Sequence, residues 1–353
     1  MDNSSSSNDP QSDTPRKVLF LGNGILRAFG NSARKCQELE HLICDVLSVS
    51  PQSDEVSSLI PFPMRIAASL LRKEDCYKAL EKAIRALIIE KKKGKQTTDE
   101  LLCDPKIVGV PLFRKLLKAG FTDIITTNYG YEIESVLLGR TPTYDTVKND
   151  FYRSFCFPKN SLVKERKFKI LKHYRSRDNG VRIWHIHGEY LRPHSIIFEY
   201  ADYCSFLAKI KARPRPNMTD ITVDNLSVAN SEQEDNWIQT FLYGDVYVLG
   251  FGAAFGEPVF WYMMERRKRK NLKDRKVVFY EPKFEYHEKE NLIRNQQQKA
   301  VLAMMDAFGA EWRGMGVTIT KNSQFKEFYE KACKDIIAEV KGAPSSSDSS
   351  KRK

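Results

Sequence analysis

No two of the seven cysteines, at positions 36, 44, 76, 103, 156, 204 and 333, form a Cys-x-x-Cys pair. Their odd number and wide scatter argue against a disulfide framework and against a structural zinc site, and fit buried thiols in a reducing compartment. Long apolar runs are also missing, so no segment is expected to span a bilayer. The N-terminus, Met1-Asp2-Asn3 followed by serines, lacks the apolar stretch of a secretory signal. A cytoplasmic protein with no membrane partner is the expectation. The two densest basic runs, Lys91-Lys92-Lys93 and Arg266-Arg267-Lys268-Arg269-Lys270, have no interleaved aromatics on which bases would stack. The net charge of +12, from 57 basic and 45 acidic residues, therefore reads as lysine-rich solvated helices rather than a nucleic-acid surface.

The chain has 353 residues, 41% of them hydrophobic, enough for one large core or two modest domains. Residues 1–15 and 342–353 are dominated by Ser, Asn, Asp, Pro and Lys, and read as disordered tails around a domain at 16–341. Short runs rich in Val and Ile predict strands at Lys17–Leu21, Asp123–Thr127, Arg182–His187, Ser195–Phe198, Asp245–Leu249, Val277–Tyr280 and Gly316–Thr320. Helical periodicity covers 31–48, 65–90, 109–119, 130–138, 236–242, 258–271, 290–308 and 324–341. Alternation of the two predicts an α/β fold, a mainly parallel sheet with helices on both faces. Residues 31–120 read as a largely helical insertion or cap, and 211–235 as a loop.

Polar groups gather where the predicted strands end, which is where an open α/β sheet places its chemistry. Val18–Leu21 runs into Gly22-Asn23-Gly24-Ile25-Leu26-Arg27. A strand, two glycines and a helix suit close approach of a pyrophosphate to backbone N–H groups. The spacing is not that of a dehydrogenase: Arg27 stands where a third glycine would fall, and no strand-borne acid follows about 20 residues on. Hydride transfer is thereby disfavoured. Thr126-Thr127-Asn128-Tyr129 ends the second run. Asn128 can hold a water or a sugar hydroxyl, or it can cap the helix that follows. His185 and His187 are two apart and on a continuous strand would share a face. One of them can serve as a general base, as half of a metal pair, or as a bonded core histidine. No third ligand stands at another strand end, so neither zinc nor another metal is expected.

Taken together these segments resemble the sirtuin-like family of NAD-consuming proteins. Gly22-Asn23-Gly24-Ile25 is similar to its first glycine motif and Thr126-Thr127-Asn128-Tyr129 to its Asn motif. His185-Ile186-His187-Gly188 is similar to its His-Gly motif, and Leu249-Gly250-Phe251-Gly252 to its later glycine strand end. The resemblance spans roughly residues 17 to 282 and implies a Rossmann-like fold. It points to the bacterial-type hydrolase branch, many members of which act in antiphage defence. The deacetylases of the family carry two Cys-x-x-Cys pairs after the His-Gly motif, whereas only Cys204 and Cys333 follow His187 here. Deacetylation is therefore not expected. Two positions depart from the pattern: Gly130 replaces an Asp expected near the nicotinamide amide, and Gly252 replaces a Ser. Glu257, where relatives often have Asp, also reads as the residue that opens the helix beginning at Pro258.

The resemblance implies hydrolysis of NAD at the nicotinamide–ribose bond, with His187 as general base and Asn128 positioning the water or ribose. Gly22, Asn23, Gly24, Ile25, Thr127, Gly188, Gly250 and Gly252 would line the cofactor, and Glu281 would meet the adenosine ribose. An oligomer or a regulatory partner is expected to restrain such an activity. The alternative is a non-catalytic sensor that binds NAD or ADP-ribose.

Overall fold

A computed structural model of the chain describes residues 16–30, 105–140, 180–190, 200–211, 237–252, 257–285 and 292–342, apart from 273 and 322, with 64, 103, 155–156, 174–176 and 195–197. In order these form β1 (Lys17–Leu21), α1 (Asn23–Phe29), α2 (Pro105–Val108), α3 (Pro111–Leu117), β2 (Asp123–Thr126), α4 (Glu132–Leu138), β3 (Phe155–Cys156), β4 (Tyr174–Ser176) and β5 (Arg182–His185). There follow α5 (Tyr200–Lys211), α6 (Trp237–Tyr243), β6 (Asp245–Leu249), α7 (Pro258–Arg269), β7 (Val277–Tyr280), β8 (Lys283–Phe284), α8 (Leu292–Ala307), β9 (Glu311–Arg313), β10 (Thr318–Ile319) and α9 (Gln324–Val340). The expected tails, the helices at 31–48 and 65–90 and most of the loop at 211–235 lie outside the described residues.

The main sheet has the order β3-β4-β5-β2-β1-β6-β7-β9. Its run from β5 to β9 is parallel throughout, and only β3 and β4 pair antiparallel. The chain builds outward from β1 on one side, then returns to build from β6 on the other. That reversal opens a crevice at the carboxyl ends of β1 and β6, the usual place for a ligand in such a sheet.

Side chains alternate across the sheet with the two-residue period of a strand. Leu19, Leu21, Ile124, Ile183, Tyr247, Leu249, Val278 and Tyr280 face one apolar layer, which α1, α3, α4 and α9 complete. Val18, Phe20, Ile125, Trp184, Val246, Val248, Val277 and Phe279 face the other, completed by α5, α6, α7 and α8. Burial on both faces explains why these strands read as continuous apolar runs. In the second layer Phe20 meets Phe241, Phe251 and Phe260 edge-on, at centroid distances of 5.8, 4.9 and 5.5 Å. Each such pair adds about 0.5–1.5 kcal/mol beyond burial and makes a stiff floor beneath the strand ends.

The opposite ends of β2 and β5 are tied together. Asp123, fully buried, accepts from Arg182 at 2.7 Å and from the Trp184 indole at 2.8 Å. The basic run that closes α7 is partly structural: buried Arg267 donates to the carbonyls of Leu242, Gly244 and Arg275 at 2.9 to 3.1 Å.

Two expected strands are corrected, and other elements come unannounced. Ser195–Ile197 is not a strand, because its backbone is engaged elsewhere: the Ile197 N–H donates to the His187 carbonyl at 2.9 Å, and the Ile197 carbonyl accepts from the Tyr129 hydroxyl at 3.1 Å. Of Gly316–Thr320 only Thr318–Ile319 is extended, and it pairs with β8 in a separate two-stranded sheet. The main sheet is instead extended by Glu311–Arg313, a polar edge strand without an apolar run to announce it. Helix α5 was not anticipated, although Tyr203, Phe206, Leu207 and Ile210 carry a helical repeat that packs against the second layer.

Candidate active site

The strand ends converge as the sequence suggested, but the turns differ in detail. Gly22 and Gly250 face one another across the crevice. The Gly22 N–H donates to the Leu249 carbonyl at 3.0 Å, and the Gly24 N–H donates to the Gly250 carbonyl at 2.7 Å. A Cβ on Gly22 would stand 2.5 Å from the Phe251 Cα, so the contact is glycine against backbone. Gly250 has φ +69, in the region glycine favours. Two of the turn's amides are thus committed to joining the two glycine segments. The Ile25 side chain is fully buried in the first apolar layer, so only its backbone faces the crevice. Asn23 opens α1, and Gly252 is exposed, with no described residue within 4 Å of where its Cβ would stand.

Asn128 does not cap a helix. Helix α4 begins at Glu132, with Tyr131 as its N-cap. The Asn128 side-chain amide instead reaches across to β1 and donates to the Gly22 carbonyl at 3.3 Å. Its own N–H donates to the Thr126 hydroxyl at 3.1 Å, and the neighbouring Thr127 N–H donates to the Leu21 carbonyl at 3.3 Å. These bonds fix the polar end of β2 against the glycine turn.

The two histidines do not share a face. β5 ends at His185, and the chain turns through Ile186 and His187 to Gly188, whose φ is +91. A Cβ there would meet the Ile196 Cα at 2.6 Å, so the turn and the 195–197 segment require glycine. The turn sends the rings to opposite sides of the sheet. His185 packs toward α4: Nδ1 lies 2.9 Å from the Asn128 carbonyl and Nε2 lies 2.8 Å from Glu134 Oε1. Burial opposes its charge, but the attraction of Glu134 outweighs that and pushes His185 up to about 9. The other Glu134 carboxylate oxygen has no hydrogen-bond partner among the described residues. Nearby, the Tyr131 hydroxyl donates to Glu189 at 3.0 Å.

His187 packs toward α5 and α7. The Tyr203 hydroxyl lies 3.5 Å from Nδ1, and Glu257 Oε2 lies 3.5 Å from Nε2. Burial alone pushes His187 down to about 3, so its ring is neutral over the physiological range. His187 and Thr127 line a small cavity of about 10 Å³ with Phe20, Trp237, Phe251 and Glu257. Burial likewise pushes the Glu257 carboxyl up to about 8. In sequence Glu257 reads as standing where relatives often have Asp and as a helix opener, not as a partner of His187. It does open α7, with Pro258 at the first helical position, yet its side chain makes no cap bond.

Two further acids lie along the crevice. Glu281 follows β7, is pushed up to about 8 by burial, and is hydrogen-bonded by Gln298. Its charge is felt by Tyr329, whose hydroxyl abuts Gly24 and which also senses Arg27. Glu132 folds its carboxylate over Gly130: a Cβ at 130 would stand 2.5 Å from Oε2. The position that lacks an acid thus has a carboxylate above it. Cys204 is exposed on α5 and Cys333 is buried on the inner face of α9. Among the described residues no group of three or more His, Cys, Asp or Glu is placed to hold a metal ion, and no helix is long and apolar enough to cross a membrane.

Residues 122–303, just over half the chain, match the family model of the SIR2-like domain. The matched span opens beside β2, closes within α8, and contains Asn128, His187 and Glu257. No curated protein matches the chain.

Proposed function

The chain belongs to the SIR2-like domain family, whose members are in general NAD-dependent enzymes, and from that premise we propose that it hydrolyses NAD to nicotinamide and ADP-ribose. The observation that carries this reading is the convergence at the carboxyl ends of the central strands of a neutral buried imidazole, a carboxamide held against a glycine turn, and two glycine segments packed without side chains. NAD fits these residues by class. The glycine segments, whose Gly22 and Gly24 amides are already bonded to the Leu249 and Gly250 carbonyls, would meet a pyrophosphate around Gly22, Asn23, Gly24, Ile25, Gly250 and Gly252. Glu281 stands at the next strand end for a ribose hydroxyl. Thr127 and Gly188 flank the reacting end.

In the reaction the C1′–N bond breaks and its electron pair neutralises the pyridinium, so nicotinamide leaves uncharged. Ribose passes through an oxocarbenium-like state. The water oxygen bonds to C1′ and its proton goes to His187, a transfer of the kind that contributes about 10²–10⁴-fold. Asn128 orients the water or the ribose. No metal enters this scheme. Deacetylation is not proposed: Cys204 and Cys333, the cysteines after His187, lie on separate helices.

We further propose a cytoplasmic, regulated role of the antiphage-defence type. Unrestrained NAD hydrolysis harms the host, which calls for a homo-oligomer or a regulatory partner, with the 31–120 segment of the 16–341 domain as the place of assembly. The test is incubation of purified protein with NAD and separation of the products by mass. Nicotinamide and ADP-ribose are expected from the wild type and not from His187→Ala or Asn128→Ala. Undiminished release by both variants overturns the assignment. Calorimetric NAD binding without any release points instead to a sensor.

A further inference from the structure

A base buried among Phe20, Phe241, Phe251 and Phe260 becomes a buried cation once it accepts a proton. Such a charge needs an opposite one within contact distance. Among the described residues Glu257 is the acid that reaches His187, with Oε2 3.5 Å from Nε2. An acid at a helix N-cap ordinarily turns its carboxylate back onto the free N–H groups of the first turn. Glu257 makes no such bond, and its carboxyl lies beside the imidazole instead. Tyr203 stands at the other ring nitrogen. The rest of the cavity wall is apolar apart from Thr127. The neighbouring His185 faces away, toward Glu134 and Glu189.

Resting on the NAD-hydrolysis reading, we propose that Glu257 is a positioning residue for His187, the two side chains sharing one proton. When that proton is lost to solvent, Nε2 is free to act as base. The water O–H bond then breaks as its oxygen bonds to C1′ and the C1′–N pair departs with nicotinamide. The proton settles on Nε2 beside the Glu257 carboxylate, whose charge offsets the imidazolium. Glu257 is 22% exposed against 4% for His187, so it offers the route by which the proton then reaches solvent. Burial raises the carboxyl and lowers the imidazole, so at neutral pH the single proton of the pair rests on the Glu257 side.

The test uses the full chain with carbon-13-labelled histidine, the His187 signal being identified by its loss in His187→Ala. In the wild type the His187 ring is expected to respond as the pair titrates near pH 8. In Glu257→Gln that response is lost between about pH 5 and 9, and Glu257→Asp restores it in part. Nicotinamide release is expected to rise through the same pH in the wild type. In Glu257→Gln kcat falls about 10²-fold, KM changes little, and the rising limb disappears. A His187 titration, or a pH–rate profile, that is identical in wild type and Glu257→Gln overturns the proposal. If the wild type releases no nicotinamide, the NAD-hydrolysis reading fails, while the ring titration still decides whether the proton is shared.

Discussion

The imidazole of His185 stands 2.8 Å from the carboxylate of Glu134, and its other nitrogen meets the Asn128 carbonyl at 2.9 Å. A protonated ring donates to both. The segment carrying the proposed water-positioning amide is therefore held by a charged histidine on the next strand, on the face of the sheet opposite the proposed base.

This arrangement sets a pH dependence of stability. His185 is raised from 6.5 to about 9 in the folded chain, so its contribution is fully present below pH 6.5 and lost as pH rises through about 9. A shift of that size corresponds to roughly 3 kcal/mol. Denaturant unfolding between these pH values should show a decline of that order. His185→Gln and Glu134→Gln should be less stable at low pH and should show a decline smaller by that amount, the remainder coming from the raised carboxyls of Glu257 and Glu281. The same slope in all three proteins would show that the pair does not carry it.

The glycine segments separate packing from binding. Gly22→Ala forces a Cβ onto the Phe251 backbone and should cost about 1–3 kcal/mol, with loss of NAD binding. No described residue lies within 4 Å of a Cβ at Gly252, so Gly252→Ala should leave stability unchanged. If Gly252 lines the ligand as proposed, that variant still weakens NAD binding. Calorimetry beside thermal unfolding distinguishes the two effects, and unchanged affinity in Gly252→Ala removes it from the site.

Glu132 and position 130 should be energetically coupled. Gly130→Asp places a second carboxylate where the Glu132 side chain already lies, and should lower stability. Glu132→Ala in the same chain should relieve most of that loss. A double-mutant cycle is expected to give a coupling of about 0.5–3 kcal/mol. Additive effects would mean that the Glu132 carboxylate does not occupy this space in solution.

The parallel strands were legible because burial on both faces demands apolar runs, and Lys17–Leu21, Asp245–Leu249 and Val277–Tyr280 have the bounds their composition predicts. Short polar strands carry no such signal, which is why Glu311–Arg313 and Tyr174–Ser176 escaped notice. Asn128, His187 and the glycines were legible as strand-end chemistry. Glu257 was not, because its identity and the following Pro258 describe a helix start equally well. Only the turn at Gly188 brings His187 to it. The same turn defeated the reading that His185 and His187 share a face, since a period of two holds only while the chain stays extended.

Asp123 binds Arg182 at the foot of β2 and β5, and the two stand five residues before Asn128 and His187 respectively. The extended part of each strand, three steps at about 3.3 Å per residue, makes a lever roughly 10 Å long. Slipping one strand by a single residue would turn every side chain to the wrong layer. The ion pair at the foot thus acts as a ruler for the distance between the two proposed functional groups at the tip. Losing it would blur that distance from a place no substrate ever touches.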